Sequence, residues 1–171
     1  MPMPVPTPKT LIKSEMPQVG EKAPQFDSYD QDGKKISLKD FKGKTVVLYF
    51  YPKDNTPGCT KEACSLRDRY PSFKKKSVII LGVSKDSQKS HQGFIEKHDL
   101  PFILISDTDK KVQEAYGVWQ EKNMYGKKVM GTVRTTFIIG PEQKIAYVFN
   151  KVDCENHAEE VLEELEELGL A

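Results

Sequence analysis

TVVLYFYPKDNTPGCTKEACSLRD, from Thr45 to Asp68, is the stretch around which the chain is laid out. It opens with Val46 to Tyr51, an unbroken apolar run rich in β-branched and aromatic residues, the pattern of a strand covered on both faces. Pro52 closes that strand because it has no N–H to give to a ladder. A polar loop, Lys53 to Gly58, follows, and from Thr60 onward the residues favour helix. Cys59 therefore falls where strand and loop turn into a helix. The unpaired N–H groups and the dipole of a helix N-terminus stabilise an anion, and for a cysteine that anion is the thiolate. Cys64 stands five residues on. In a continuous helix the two side chains diverge by ~140°, with ~7.5 Å of rise between them. A disulfide needs Cβ atoms ~3.5–4.5 Å apart. Either the two thiols are unrelated, or the helix start unwinds during a redox cycle.

On the N-terminal side, APQFDSYDQDGKKIS (Ala23 to Ser37) alternates polar and apolar residues about Asp32-Gly33, a hairpin signal. Leu38 to Gly43 makes a short turn or one helical turn. On the C-terminal side, Ala63, Leu66, Tyr70 and Phe73 keep a helical period to about Lys75, and Pro71 predicts a break near Tyr70. Val78 to Val83 is a second buried strand. Gln88 to His98 is a helix that residues Ser84 to Ser87 can cap, and Phe102 to Ile105 is a third strand. A shorter helix, Asp109 to Tyr116, is capped by Asp107 or Thr108 and ended by Gly117. The polar stretch holding Trp119, Tyr125 and Gly126 reads as a surface loop. Val133 to Ile139 and Ile145 to Asn150 are strands joined by a turn at Gly140 to Gln143. A last helix, from about Glu155, puts Val161, Leu162, Leu165 and Leu168 on one stripe. Strands separated by helices, then a hairpin and a closing helix, predict an α/β layered domain with a mixed sheet.

The 171 residues suffice for one domain with its own core. Proline at every second position from Pro2 to Pro8 favours extended conformations, so residues 1–19 are expected to be a flexible tail ahead of a domain at 20–171. That tail has neither a signal-peptide core nor an arginine for organelle import, which points to the cytoplasm. The 26 basic and 25 acidic side chains nearly cancel, which argues against nucleic acid or an anionic membrane as the main partner. No apolar run is long enough for a membrane span. Three cysteines, an odd number, suit redox or nucleophilic use better than a disulfide framework.

Pro52-x-x-x-Thr56-x-x-Cys59 resembles the active-site signature of the peroxiredoxins. The longer string YPKDNTPGCTKEAC, Tyr51 to Cys64, is similar to their bacterioferritin-comigratory-protein, or peroxiredoxin Q, branch. The resemblance runs from about Gly20 to the C-terminus. It implies the thioredoxin fold for the α/β layers, with a mixed central sheet flanked by helices and an N-terminal hairpin. It also implies a thiol-dependent peroxidase in which Cys59 attacks the peroxide and Cys64 is the resolving cysteine. Thr56 would hold a peroxide oxygen or the sulfur through its hydroxyl, and Pro52 would shape the pocket. An arginine entering an apolar strand needs a partner, and GTVRTTFIIG, Gly131 to Gly140, resembles the family's arginine-bearing strand. Arg134 is therefore expected to favour the thiolate and to stabilise charge on the peroxide oxygens. The implied cycle passes through a Cys59 sulfenic acid and a Cys59–Cys64 disulfide. Thioredoxin or a similar dithiol then reduces it, in a monomer, with no metal, flavin or haem.

Other residues have blander readings. Glu62 is a first-turn carboxylate that helps hold the helix start. Cys154, between Asp153 and Glu155, matches no motif and reads as a bystander whose acidic neighbours raise its pKa. His91, His98 and His157 show no zinc-ligand spacing with the cysteines. Arg67, Arg69, the run Lys74 to Lys76 and the acidic final helix read as solvated or structural. Three rival functions remain: a disulfide-exchange protein, which expects Cys-x-x-Cys; a redox sensor or holdase using the same disulfide; and a copper-binding relative, for which the histidine motif is missing. Repeated turnover, as against one oxidation per chain, separates a peroxidase from a sensor.

Overall fold

The computed structural model describes residues 16–170; most of the expected tail, residues 1–15, lies outside them. Asp32 and Gly33 turn the chain between strands β1 (Asp27–Tyr29) and β2 (Lys35–Ser37), as the sequence predicts. Asp30 holds this turn by accepting from the N–H groups of Asp32 and Lys34 at 2.8 and 2.9 Å. A 3-10 turn, Leu38–Phe41, leads into β3 (Val46–Phe50), every residue of which is buried. The pairing continues one residue further, since Tyr51 N–H donates to Val83 O at 3.1 Å, and stops at Pro52.

Helix α1 (Pro57–Asp68) follows, then α2 (Tyr70–Lys75). The break falls at Arg69, with Pro71 in the first turn of α2, where a missing N–H costs nothing. The onset differs from expectation. The helix begins at Pro57, not Thr60, because proline is well suited to open a helix as well as to occupy a loop. The chain continues through β4 (Ile79–Ser84), α3 (Gln88–His98), β5 (Ile103–Ser106) and α4 (Lys111–Ala115). Asp107 accepts from the N–H groups of Val112 and Gln113 at 3.1 and 2.9 Å, and so satisfies the start of α4.

The next segment corrects the sequence reading. The expected loop around Trp119 and Tyr125 is a hairpin, β6 (Trp119–Met124) paired with β7 (Lys127–Thr132). Tyr125 and Gly126 both have positive φ, +53° and +81°, as a tight two-residue hairpin turn requires. Strands β8 (Thr135–Ile139) and β9 (Ile145–Phe149) and helix α5 (His157–Glu167) complete the chain.

The central sheet has the order β5-β4-β3-β8-β9, parallel from β3 through β5 and antiparallel from β3 through β9. Alternation along the strands divides the core in two. Val47, Tyr49, Ile80, Leu104 and Ile138 share one apolar cluster with Ala63 and Leu66 of α1, Phe94 of α3 and Val161 and Leu165 of α5. Val46, Leu48, Phe50, Leu81 and Phe137 belong to the other, with Phe26, Ile36, Val112 and Tyr116. Gly82 is required in β4, since a Cβ there would come within 2.9 Å of the Tyr49 ring and 2.8 Å of Leu104. This is the α/β layering that the pattern predicts.

Candidate active site

Because β3 is the central strand, its C-terminal end delivers the following loop to the edge of the sheet where α/β folds place their ligands. The loop is fastened from below by Asp54, which is buried. Its carboxylate accepts from Tyr51 Oη at 2.6 Å and from Ser90 Oγ at 2.8 Å, and lies 2.8 Å from His91 Nδ1. Asp54 N–H in turn donates to Asp86 Oδ2 at 2.8 Å, and Lys85 Nζ donates to Pro52 O at 3.2 Å. Asp54, Asp86 and His91 bring ligand-capable atoms within 4.8 Å of one another. Their bonds to the loop give each of them a structural use.

Thr56 occupies the N-cap position of α1 with extended backbone, yet its hydroxyl donates to Lys53 O at 2.9 Å and does not cap the helix. With the hydrogen so committed, the Thr56 oxygen is left as an acceptor. The N–H groups of Gly58 and Cys59, in the first turn, have no intrahelical acceptor. Cys59 is only 1% exposed. Its Sγ receives Arg134 Nη2 at 3.3 Å, across 75 positions of sequence. Arg134 sits just before β8, next to β3 in the sheet, and this adjacency carries the guanidinium to the helix start.

Nη1 of the same guanidinium donates to Glu62 Oε1 at 2.6 Å. Glu62 is fully buried, and its second oxygen, Oε2, has no hydrogen-bond partner among the described residues. His157 Nε2 lies 3.8 Å from it and 2.8 Å from Thr136 Oγ1, and burial lowers the His157 pKa. His157 Nδ1 meets Glu160 Oε1 at 2.9 Å. A line of buried polar groups thus runs from α5 to the thiol. Burial pushes the Glu62 carboxyl up to about 7 against the downward pull of Arg134. Burial alone would lower the Arg134 guanidinium, but Glu62 and Cys59 outweigh it and the net shift is upward. The arginine is therefore a permanent cation between two groups that gain from it.

Cys64 faces elsewhere. Its Sγ is 3.9 Å from His98 Nδ1 on α3, while Cys59 faces Arg134, and all three cysteines are free. The divergence expected of an intact helix is therefore present. Cys154, read as a bystander, lies close to the site: a Cβ on Gly58 would be 3.7 Å from its Sγ and 3.3 Å from Arg134 Nη2. Its pKa is raised as expected, but chiefly by burial, against a downward pull from Arg134; of the acidic neighbours in sequence only Asp153 contributes, after Glu62 and Cys59.

A cavity of about 460 Å³ opens above this constellation. Pro52, Thr56, Gly58 and Arg134 line it, with Lys53, Lys85 and Lys122 adding positive charge, and Val129 and Met130 of β7 an apolar wall. The β6–β7 hairpin, which stands where a loop is expected, is part of this pocket through Lys122 and residues Val129 to Thr132. Pro52, Thr56 and Arg134 converge on this cavity, Cys59 is buried beside Arg134, and Cys64 stands apart.

The raised Glu62 carboxyl has a measurable consequence. Its ordinary value is 4.5, so between about 4.5 and about 7 the native state holds a proton that the unfolded chain has released. Stability therefore falls as pH rises through that window, and stays lowered above it. Glu62→Gln removes this titration. Urea unfolding at about pH 5 and about pH 8 should show wild type losing on the order of 2–3 kcal/mol relative to the variant. A pH-independent difference between the two would overturn the assignment.

Residues 19–148 match the model of the AhpC/TSA family. A protein of Coxiella burnetii named putative peroxiredoxin bcp is 52% identical over 85% of this chain and 96% of its own. Peroxiredoxin Bcp of Bacillus subtilis is 45% identical over 89% of this chain and 97% of its own. Among solved structures, the bacterioferritin comigratory protein of Xanthomonas campestris, described in terms of its alkyl peroxide reduction activity, superposes with a TM-score of 0.79. It is 41% identical, with 83% of this chain and 90% of that one covered. The layered architecture is the thioredoxin fold of those proteins.

Proposed function

The chain belongs to the AhpC/TSA family of peroxiredoxins and is a thiol-dependent peroxidase, and on that premise we propose that Cys59 is its peroxidatic cysteine and Cys64 its resolving one. The observation that carries this reading is the buried Cys59 thiol in the first turn of α1, with Arg134 Nη2 3.3 Å from the sulfur. The Cys59 thiolate attacks one peroxide oxygen; an S–O bond forms, the O–O bond breaks, and the departing alkoxide or hydroxide takes a proton. Arg134 and the free N–H groups of the helix start stabilise negative charge on those oxygens. The Thr56 oxygen accepts from the peroxide O–H, and Pro52 shapes the pocket floor.

Cys59, now a sulfenic acid, condenses with Cys64 once the first turn of α1 unwinds, releasing water. Thioredoxin or a similar dithiol reduces the disulfide by exchange. One chain supplies both thiols, so a monomer completes the cycle. Three free cysteines suit a reducing compartment, and we place the protein in the cytoplasm. No helix among the described residues is long and apolar enough to cross a membrane.

Peroxide consumption with thioredoxin, thioredoxin reductase and NADPH tests the cycle. Cys64→Ser is expected to lower thioredoxin-supported turnover by at least about tenfold, since its sulfenic acid lacks the partner from which an exchangeable disulfide is made. Cys154→Ser is expected to keep wild-type turnover. The reverse pattern would misassign the resolving cysteine. A single oxidation per wild-type chain with any dithiol would favour a sensor.

A further inference from the structure

In the reading above Cys64 closes the cycle, and beside it stands a group which that cycle has not used. Both Cys64 and His98 are half-buried, and Cys64 Sγ lies 3.9 Å from His98 Nδ1. We propose that His98 is the general base for the resolving step, taking the Cys64 proton as its sulfur attacks the Cys59 sulfenic acid. This inference rests on the assignment of Cys59 and Cys64.

Three features of the structure support it. The imidazole is held in place, with its ring edge-on to Phe94 at 5.3 Å between centroids. His98 also closes α3, so that helix carries the ring to the Cys64 face of α1. Arg67, one turn after Cys64 on α1, donates from Nη1 to the His98 carbonyl oxygen at 2.9 Å. The same guanidinium is close enough to Cys64 for their charges to interact. Asp68 on α1 and Asp99, which follows α3, act on Arg67 as well, and Lys61 precedes Cys64 by three residues on α1 as Lys97 adjoins His98 on α3.

The contact also has to survive the unwinding that brings Cys59 over. Ser65 Oγ accepts from Ala158 N–H at 2.9 Å in the buried seam between α1 and α5, and Ala63 and Leu66 are fully buried. Together with the Arg67–His98 bond, these hold the helix from about Ala63 onward. The turn before it is held by the Glu62–Arg134 pair and by Thr60 N–H on Thr56 O. Unwinding is therefore confined to the turn that bears Cys59, and Cys64 waits at His98. In the step itself, the S–H proton passes to Nδ1, the S–S bond forms and the S–O bond of Cys59 breaks. The proton then leaves with the hydroxide as water.

The test is a single turnover. Reduced wild type and His98→Gln are mixed with one equivalent of hydrogen peroxide, quenched with an alkylating reagent at intervals, and digested. Mass spectrometry then counts the Cys59 sulfenic acid and the Cys59–Cys64 disulfide at about pH 6, 7 and 8. Sulfenic acid should appear at the wild-type rate in the variant, while disulfide formation slows by about 10- to 100-fold at pH 7. The variant's rate should climb with pH by up to about tenfold per unit as hydroxide takes over the base's part. Added imidazole should restore the rate in His98→Ala. An unchanged disulfide rate would overturn the proposal, and so would a slowed one that imidazole and pH do not rescue, since that marks a merely structural loss. Failure of wild type to form sulfenic acid at Cys59, or a bridge to Cys154 instead of Cys64, would sink the underlying assignment and this step with it.

Discussion

Cys59→Ser is expected to lower peroxide turnover by at least about a thousand-fold while leaving the fold in place. Serine is close in volume to cysteine, so the buried position in the first turn of α1 is filled and the cost in stability stays within about 1–2 kcal/mol. What is lost is the proposed nucleophile. A serine hydroxyl does not ionise near neutral pH, even with Arg134 Nη2 at 3.3 Å and the free N–H groups of a helix start about it. The measurement is the initial rate of peroxide loss with an excess of dithiol, beside a urea unfolding curve of the same sample. Residual turnover within tenfold of wild type would move the nucleophile to Cys64 or Cys154. A variant that unfolds at much lower urea would show that the thiol was needed for packing.

Much of this site could be read before any coordinates, for particular reasons. Val46 to Tyr51 has one reading, because six apolar residues closed by proline make a central strand. The loop and cysteine after it then fall at the edge of the sheet. Arg134 was legible as an anomaly, a permanent charge at the head of an apolar strand. Its partner was not. Glu62 looks like any first-turn carboxylate, and only the pairing of β3 with β8 brings a residue 72 positions away within 2.6 Å of it. The β6–β7 hairpin escaped for a different reason. Most of β7 is exposed, so neither strand carries the alternation that burial of one face imposes, and Tyr125-Gly126 was its one local sign. Cys154 is a third case. Its neighbours in sequence are acidic and solvated, yet its sulfur lies near Gly58 at the start of α1, 3.7 Å from where a Cβ would stand.

Arg134→Met carries the second large effect, and it divides into two parts that separate experimentally. The first is catalytic: removing the cation beside the Cys59 sulfur should lower the rate of Cys59 oxidation by about 10²–10³. The second is structural. Glu62 is fully buried and pairs with Arg134, so the substitution leaves an uncompensated carboxylate, at a cost of about 3 kcal/mol near pH 8. The cost should shrink near pH 5, because a carboxyl already raised to about 7 is protonated there and needs no partner. Arg134→Met/Glu62→Gln then tells the two apart. Without a carboxylate to bury, the double variant should regain most of the lost stability in urea unfolding. Its peroxide rate should stay as low as that of Arg134→Met, since nothing has been returned to the sulfur. Were the rate to recover along with the stability, Arg134 would act on the reaction only by holding Glu62 and the start of α1, and the charge stabilisation assigned to it would have to come from the helix N–H groups alone.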